Sequence, residues 1–78
     1  MNAGTRYRWE QISKVTGLPV HRLEEKRRFT RVDWNANGYT VDEVRAILMG
    51  APLLPREQIN PRAFKALELW DRLAEEEA

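Results

Sequence analysis

The segments WEQISKVTGLPVHRLEEKRRF, residues 9–29, and NGYTVDEVRAIL, residues 37–48, decide the fold. In the first segment apolar residues recur every three to four positions up to Gly17, a pattern that predicts a short helix ending at that glycine. Pro19 then stands at the start of a second helix, where its missing N–H costs nothing. In the second segment Thr40 begins a capping-box pattern that predicts a third helix. We therefore expect three helices, the first two joined by a tight glycine turn.

The rest of the chain predicts a hairpin, a linker and a fourth helix. Large and polar residues alternate over residues 29–34, and residues 35–38 have the composition of a turn, so this segment is expected to form a short β-hairpin. A proline-containing stretch without periodicity follows the third helix. We accordingly divide the chain into a head, residues 1–50, an extended connection, residues 51–59, and a C-terminal amphipathic helix, residues 60–78.

The composition limits how this chain can be stabilised. Its 78 residues contain no cysteine and one histidine, so neither disulfides nor a structural zinc site can hold the fold together. Three tryptophans, two phenylalanines and two tyrosines supply large apolar side chains for one small core. No apolar run approaches the ~20 residues that span a bilayer, and the N-terminus lacks the apolar region of a secretory signal. We therefore expect a soluble, cytoplasmic protein without membrane contact.

Charge is distributed unevenly along the chain. Residues 1–31 contain eight Lys or Arg against three acidic residues, whereas residues 32–78 contain five against nine. The net charge of +1 therefore hides a basic first half and an acidic second half. Such asymmetry favours a polyanion as the partner of the basic half.

The first two predicted helices contain the residues that a helix-turn-helix requires. The two helices cross closely, which calls for a small residue on the first helix, a glycine in the turn and apolar residues that anchor the second helix. The small residue on the first helix is Ser13, and the turn contains Gly17 followed by Leu18. The apolar anchors of the second helix are Val20 and Leu23.

The segment around this motif resembles a known family over roughly half of the chain. The matching residues are Ile12, Ser13, Thr16, Gly17, Leu18, Val20 and Leu23 in the opening, Asn37, Gly38 and Tyr39 before the third helix, and Thr40, Glu43 and Val44 at its start. This pattern is similar to that of the MerR-type and excisionase-like winged helix-turn-helix proteins of bacteria and phages. The resemblance implies a mainly α fold, a winged helix-turn-helix with a short β-hairpin wing and a C-terminal helix.

The resemblance also implies a double-stranded DNA partner and a set of contact residues. These are His21, Arg22, Lys26 and Arg27 on the second helix, Lys14, Arg6 and Arg8 on the first-helix side, and Arg31, Asn35 and Asn37 from the wing. The chain departs from the family at Glu24 and Glu25, which stand where the family carries basic or aromatic residues. Either these carboxylates point away from DNA, or they accept hydrogen bonds from cytosine amino groups.

The C-terminal helix carries an apolar stripe with two possible uses. The stripe consists of Phe64, Leu67, Trp70 and Leu73. It either packs back on the head and completes a small core, or it projects and forms an interface with a second copy or a larger protein.

Catalysis and metal binding are not expected. Ser13 is the only serine and His21 the only histidine, and the predicted turn points them to different surfaces, so no nucleophile has a base beside it. Residues 33–38, DWNANG, copy the opening of a calcium loop, but Val44 stands where the loop needs a bidentate Glu. We interpret this segment as an Asn-Gly turn and predict neither metal nor cofactor.

Two functions from different classes remain open at this point. The first is sequence-specific binding of double-stranded DNA by a small phage or bacterial regulator, an excisionase-like factor or the small subunit of a packaging machine. The alternative is a protein-interaction module, a phage-encoded inhibitor or adaptor of a host protein, which Glu24 and Glu25 would favour.

Overall fold

The computed structural model of the chain describes residues 5–50 and 61–77. These residues form four helices in chain order, which are α1 (Trp9–Thr16), α2 (Val20–Arg28), α3 (Val41–Gly50) and α4 (Arg62–Glu77). α1 and α3 each pack against both α2 and α4, while α2 and α4 do not touch. The predicted connection, residues 51–59, lies outside the described residues.

The turn between α1 and α2 is built as the sequence predicts. Gly17 adopts a left-handed conformation with φ of 78°, and its N–H donates to the Ser13 carbonyl at 2.8 Å. The Thr16 hydroxyl donates to the Ile12 carbonyl at 2.8 Å and accepts the Leu18 N–H at 3.3 Å. Leu18 is thereby held in the core, so the predicted helix end and glycine turn are confirmed.

The prediction of a winged helix with a β-hairpin wing is wrong. The described residues contain four helices and no strand, and their one isolated antiparallel bridge joins Tyr39 to Tyr7. Both hydrogen bonds of this bridge measure 2.8 Å between N and O. Because the N-terminal segment occupies the backbone groups of Tyr39, the residues before the turn have no strand to pair with.

The segment after α2 instead folds back onto the end of that helix. The Arg27 guanidinium donates to the Val32 carbonyl at 3.1 Å. The Thr30 hydroxyl donates to the Arg27 carbonyl at 2.7 Å and accepts the Val32 N–H at 3.2 Å. Side chains thus satisfy the backbone groups that a hairpin ladder would have used, which explains why alternation in this segment does not produce a wing.

α3 begins with the predicted capping box. The Thr40 N–H donates to Oε1 of Glu43 at 2.9 Å, and the Glu43 N–H donates to the Thr40 hydroxyl at 3.2 Å. Oε1 of Glu43 also accepts from the Arg6 guanidinium at 3.1 Å. The start of α3 is therefore tied to the N-terminal segment as well as capped.

Replacing Thr40 with alanine should lower the free energy of unfolding by about 1 kcal/mol, because the Glu43 N–H loses its acceptor. Thr40→Ser keeps the hydroxyl and should retain most of the stability. Urea unfolding followed by far-UV circular dichroism measures both variants. Equal losses in the serine and alanine variants would show that the hydroxyl does not cap α3.

All four helices contribute side chains to the core, among them Trp70 of α4. This side chain is fully buried, and its ring meets Tyr7 edge-on at a centroid distance of 5.4 Å. Its Nε1 donates to the Val41 carbonyl at 3.1 Å. α4 therefore completes the core of the head, which is the first of the two uses predicted for its apolar stripe.

No helix among the described residues has both the length and the apolar character needed to cross a membrane.

Candidate nucleic-acid interface

α2 was expected to present its cationic side chains on one exposed face, but the structure buries some of them and exposes others. Arg22 is 7% exposed and Lys26 is 2% exposed, and both lie with Leu23 on the buried side of the helix. His21 and Arg28 are exposed. Since side chains this deeply buried have no surface to present to a DNA groove, we leave Arg22 and Lys26 out of the candidate interface.

The buried face of α2 is thus rotated from the expected one. The sequence predicts that Val20 and Leu23 anchor the second helix; Leu23 is buried, yet Val20 is exposed. Arg22 and Lys26 are buried in its place, beside Leu23.

The two carboxylates of α2 are each paired with an arginine of the same helix. Glu24 accepts from the Arg27 guanidinium at 2.7 Å and from Nε1 of Trp9 on α1 at 2.9 Å. Glu25 accepts from the Arg22 guanidinium at 3.1 Å. Arg27, a predicted contact residue, therefore forms an ion pair within the protein. Both carboxylates, Glu24 and Glu25, are compensated by an arginine.

The cations on the first-helix side have different surroundings. The Arg6 guanidinium donates to the Gly38 carbonyl at 2.9 Å and forms an ion pair with Glu43 at 3.1 Å. Arg8 and Lys14 are exposed, and neither forms an ion pair within the described part of the chain. Arg6 thus fastens the N-terminal segment to the body, while Arg8 and Lys14 remain available.

The residues predicted to act from a wing lie in a loop and a turn. Arg31 is exposed and forms no ion pair with a described residue. Asn35 Oδ1 accepts the Asn37 N–H at 2.8 Å, and the Gly38 N–H donates to the Asn35 carbonyl at 3.1 Å. Asn35 is therefore used in building the turn, whereas the Asn37 side chain is exposed.

Three exposed residues at the end of α2 and after it were not among the predicted contact residues. Arg28 is exposed, Phe29 is 57% exposed and Trp34 is 63% exposed. Arg28 follows His21 by seven positions and so lies on nearly the same side of α2, a relation that helical spacing could have revealed. For the two aromatic residues the sequence offers no signal, because large aromatics are usually placed in the core.

The exposed cations without an ion pair to a described residue define what we call the basic surface. It consists of Arg8, Lys14, Arg28 and Arg31. Two exposed carboxylates, Glu10 and Asp33, belong to the same part of the chain. When the residues in ion pairs are left aside, this part of the chain therefore exposes four positive and two negative charges.

The α3–α4 half carries the opposite balance. Here Arg45 forms an ion pair with Asp71 at 3.4 Å, and Arg72 forms one with Glu68 at 3.1 Å. Exposed carboxylates without an ion pair to a described residue are Asp42, Glu75 and Glu76. The asymmetry of the sequence is thus retained on the folded surface.

The stripe expected to act as a partner interface is largely occupied. Trp70 is buried, Leu67 and Leu73 pack against the core, and Phe64 is 61% exposed. Only the first member of the stripe is therefore open to a partner.

Comparison with protein-family models, with curated proteins and with solved structures found no match. Among the described residues, no three His, Cys, Asp or Glu side chains are grouped so that they could hold a metal ion.

Proposed function

We propose that this chain binds double-stranded DNA through its basic surface and carries out no chemistry on it. The observation that supports this proposal most is that Arg8, Lys14, Arg28 and Arg31 are exposed and lack ion pairs with described residues, whereas the arginines Arg6, Arg22 and Arg27 are paired. Unpaired guanidinium and ammonium groups on a surface are the usual partners of the phosphate backbone.

The exposed side of α2 is not covered by α4. α4 packs on α1 and α3 and does not contact α2. At the start of α2, the N-cap residue Pro19 and the first two helical residues, Val20 and His21, are exposed. In proteins that read DNA with the second helix of a helix-turn-helix pair, the first turn of that helix approaches the base edges. His21 is therefore the candidate for a base contact, and Arg28 at the other end of α2 for a phosphate contact.

The two carboxylates of α2, which would repel DNA if they were unpaired, are paired with arginines within the protein. Glu24 is held by Arg27 and Trp9, and Glu25 by Arg22. A phosphate near α2 therefore meets ion pairs of no net charge instead of two free carboxylates, which removes much of the repulsion.

Charge separation would also orient the molecule during association. The half formed by α3 and α4 carries exposed carboxylates, so a DNA duplex repels that half and attracts the basic surface. The roles suggested by the family resemblance, a regulator, an excisionase-like factor or a packaging subunit, all use this one binding step.

The proposal is tested by titrating a fluorescently labelled duplex with the protein at about 50 mM and about 200 mM salt. A protein that neutralises about four phosphates should lose on the order of a hundredfold in affinity between these conditions, since each contact releases about one counterion. Absence of binding at the lower salt concentration, or affinity that does not change with salt, would contradict the proposal.

A second candidate function, a protein-interaction module, is favoured by exposed apolar side chains. These are Val20, Phe29, Trp34, Met49 and Phe64. Where such residues form a contiguous patch, they mark contacts with another protein. A protein of this kind would show little affinity for the duplex at either salt concentration, so the same titration separates the two functions.

A further inference from the structure

A small cleft lies between the start of α1 and the turn that precedes α3. It has a volume of about 200 Å³, and its walls include Arg8, Trp9, Glu10, Trp34 and Tyr39. Three of these five side chains are aromatic and two are charged. The cleft is therefore chemically distinct from the rest of the basic surface, with which it shares only Arg8.

Two of the aromatic rings form a fixed wall. Trp9 and Tyr39 lie with ring centroids 4.5 Å apart and planes inclined by 32°. Nε1 of Trp9 is held by Glu24 at 2.9 Å, and the Tyr39 hydroxyl accepts the Asn35 N–H at 3.2 Å. Because both rings are hydrogen-bonded and packed, this wall is formed before any ligand arrives.

The third ring is free on most of its surface. Trp34 is 63% exposed and stacks on no other aromatic ring in the described residues. Exposure of an indole beside an open cleft leaves a planar apolar face without a partner. A flat aromatic ligand would cover that face.

The charges of the cleft indicate what such a ligand carries. The Arg8 guanidinium is exposed and forms no ion pair with a described residue, so it offers an anion site next to the indole. Glu10 places a carboxylate on the same rim, which disfavours a phosphate there and directs it to Arg8. A nucleotide combines these two features, because its planar base is joined through a sugar to a phosphate.

We propose that the cleft binds one unpaired DNA base, which stacks on Trp34 while its phosphate lies at Arg8. The inference rests on the proposed DNA binding and adds a structural preference to it. In a continuous duplex both faces of each base are covered by neighbouring bases, so only a bulged, flipped or terminal base can offer a face to the indole.

The test compares two labelled duplexes that differ by one extra unpaired nucleotide. We expect the protein to bind the bulged duplex on the order of tenfold more tightly, in the range that stacking of one base on an aromatic side chain supplies. Trp34→Ala should abolish this preference and bind both duplexes with the affinity that the unchanged protein has for the paired one. Phe29→Ala, which removes another exposed aromatic side chain outside the cleft, should retain the preference.

Arg8 and Glu10, two charged residues of the cleft, provide a further check through the ratio of the two affinities. Arg8→Gln should lower the affinity for the bulged duplex relative to the paired one, and Glu10→Gln should raise it, because the two substitutions change the potential at the phosphate of the unpaired nucleotide in opposite directions.

The outcomes separate this inference from the function on which it rests. Equal affinity of the unchanged protein for both duplexes, with steep salt dependence, would overturn the cleft proposal and leave DNA binding intact. A preference that survives Trp34→Ala would also overturn it. Absence of binding to either duplex would overturn the proposed function itself.

Discussion

Replacing Trp70 with alanine is expected to lower the free energy of unfolding by about 3 to 5 kcal/mol, the largest effect of any single truncation in the core. The side chain is fully buried, contacts Tyr7 edge-on and donates to the Val41 carbonyl. Its removal leaves a cavity at the junction of α4 with the head. Since a small domain has only about 5 to 15 kcal/mol of stability, much of the population would unfold at moderate temperature.

Urea unfolding followed by far-UV circular dichroism measures this loss. Phe64→Ala is the matched control, because Phe64 lies on the same helix and is mostly exposed, so its removal should change stability by only about 0.5 kcal/mol or less. The free energy of unfolding of Trp70→Phe should lie between those of the two alanine variants, since phenylalanine keeps the ring packing and loses the hydrogen bond. Similar stabilities for Trp70→Ala and Phe64→Ala would contradict the packing of α4 described here.

The second large effect is expected at Gly38. Its φ is 99°, and a Cβ atom at this position would lie 2.5 Å from the Tyr7 carbonyl oxygen and 2.8 Å from the Tyr7 carbonyl carbon. Gly38→Ala should therefore combine a left-handed backbone penalty of about 1 to 2 kcal/mol with a clash worth about 1 to 3 kcal/mol. The clash involves backbone that pairs with Tyr39, so it cannot be relieved by rotating a side chain.

Gly17→Ala separates the two contributions. Gly17 also has a positive φ, 78°, but a Cβ atom there meets nothing within 4 Å. Its substitution should cost only the backbone penalty of about 1 to 2 kcal/mol. If equilibrium unfolding shows the two alanine variants to be equally stable, the close approach of Tyr7 to Gly38 is not present in solution.

Local signals in the sequence predict most of the helical structure. Gly17 ends α1, the Thr40 and Glu43 pair begins α3, and α3 buries the apolar residues that its periodicity indicates. These features depend on residues three or four positions apart. Local periodicity and capping chemistry therefore suffice to place them.

The failed hairpin prediction has a long-range cause. Tyr39 forms its backbone bridge with Tyr7, which lies 32 positions earlier in the chain. Nothing in the local alternation of residues 29–34 indicates that partner. The Thr30 hydroxyl then accepts the Val32 N–H, and the Arg27 guanidinium donates to the Val32 carbonyl. Residue type alone does not distinguish these uses from strand positions.

Which cations of α2 are exposed was harder to predict than where the helices begin and end. Arg22 and Lys26 are cations that the structure buries, while Arg28 is a cation that it exposes on the same helix. The difference arises from the rotation of α2 about its axis, which is set by packing against α1 and α3. In a helix as polar as VHRLEEKRR the apolar pattern is too weak to fix that rotation.

If exposed, unpaired cations bind DNA phosphates, the affinity for duplex DNA must fall with rising salt, and the steepness of that fall depends on those cations. We would compare the slope of log affinity against log salt for the unchanged protein, for Arg28→Gln with Arg31→Gln, and for Arg45→Gln with Arg72→Gln. The last variant is the matched control, because it also removes two exposed arginines, but from ion pairs in the α3–α4 half.

We predict that the first double variant reduces the magnitude of the slope by about two, since each phosphate contact contributes about 0.9, and that the control leaves the slope unchanged. Equal slopes for all three proteins, or the larger reduction in the control, would contradict the assignment of the DNA-binding surface.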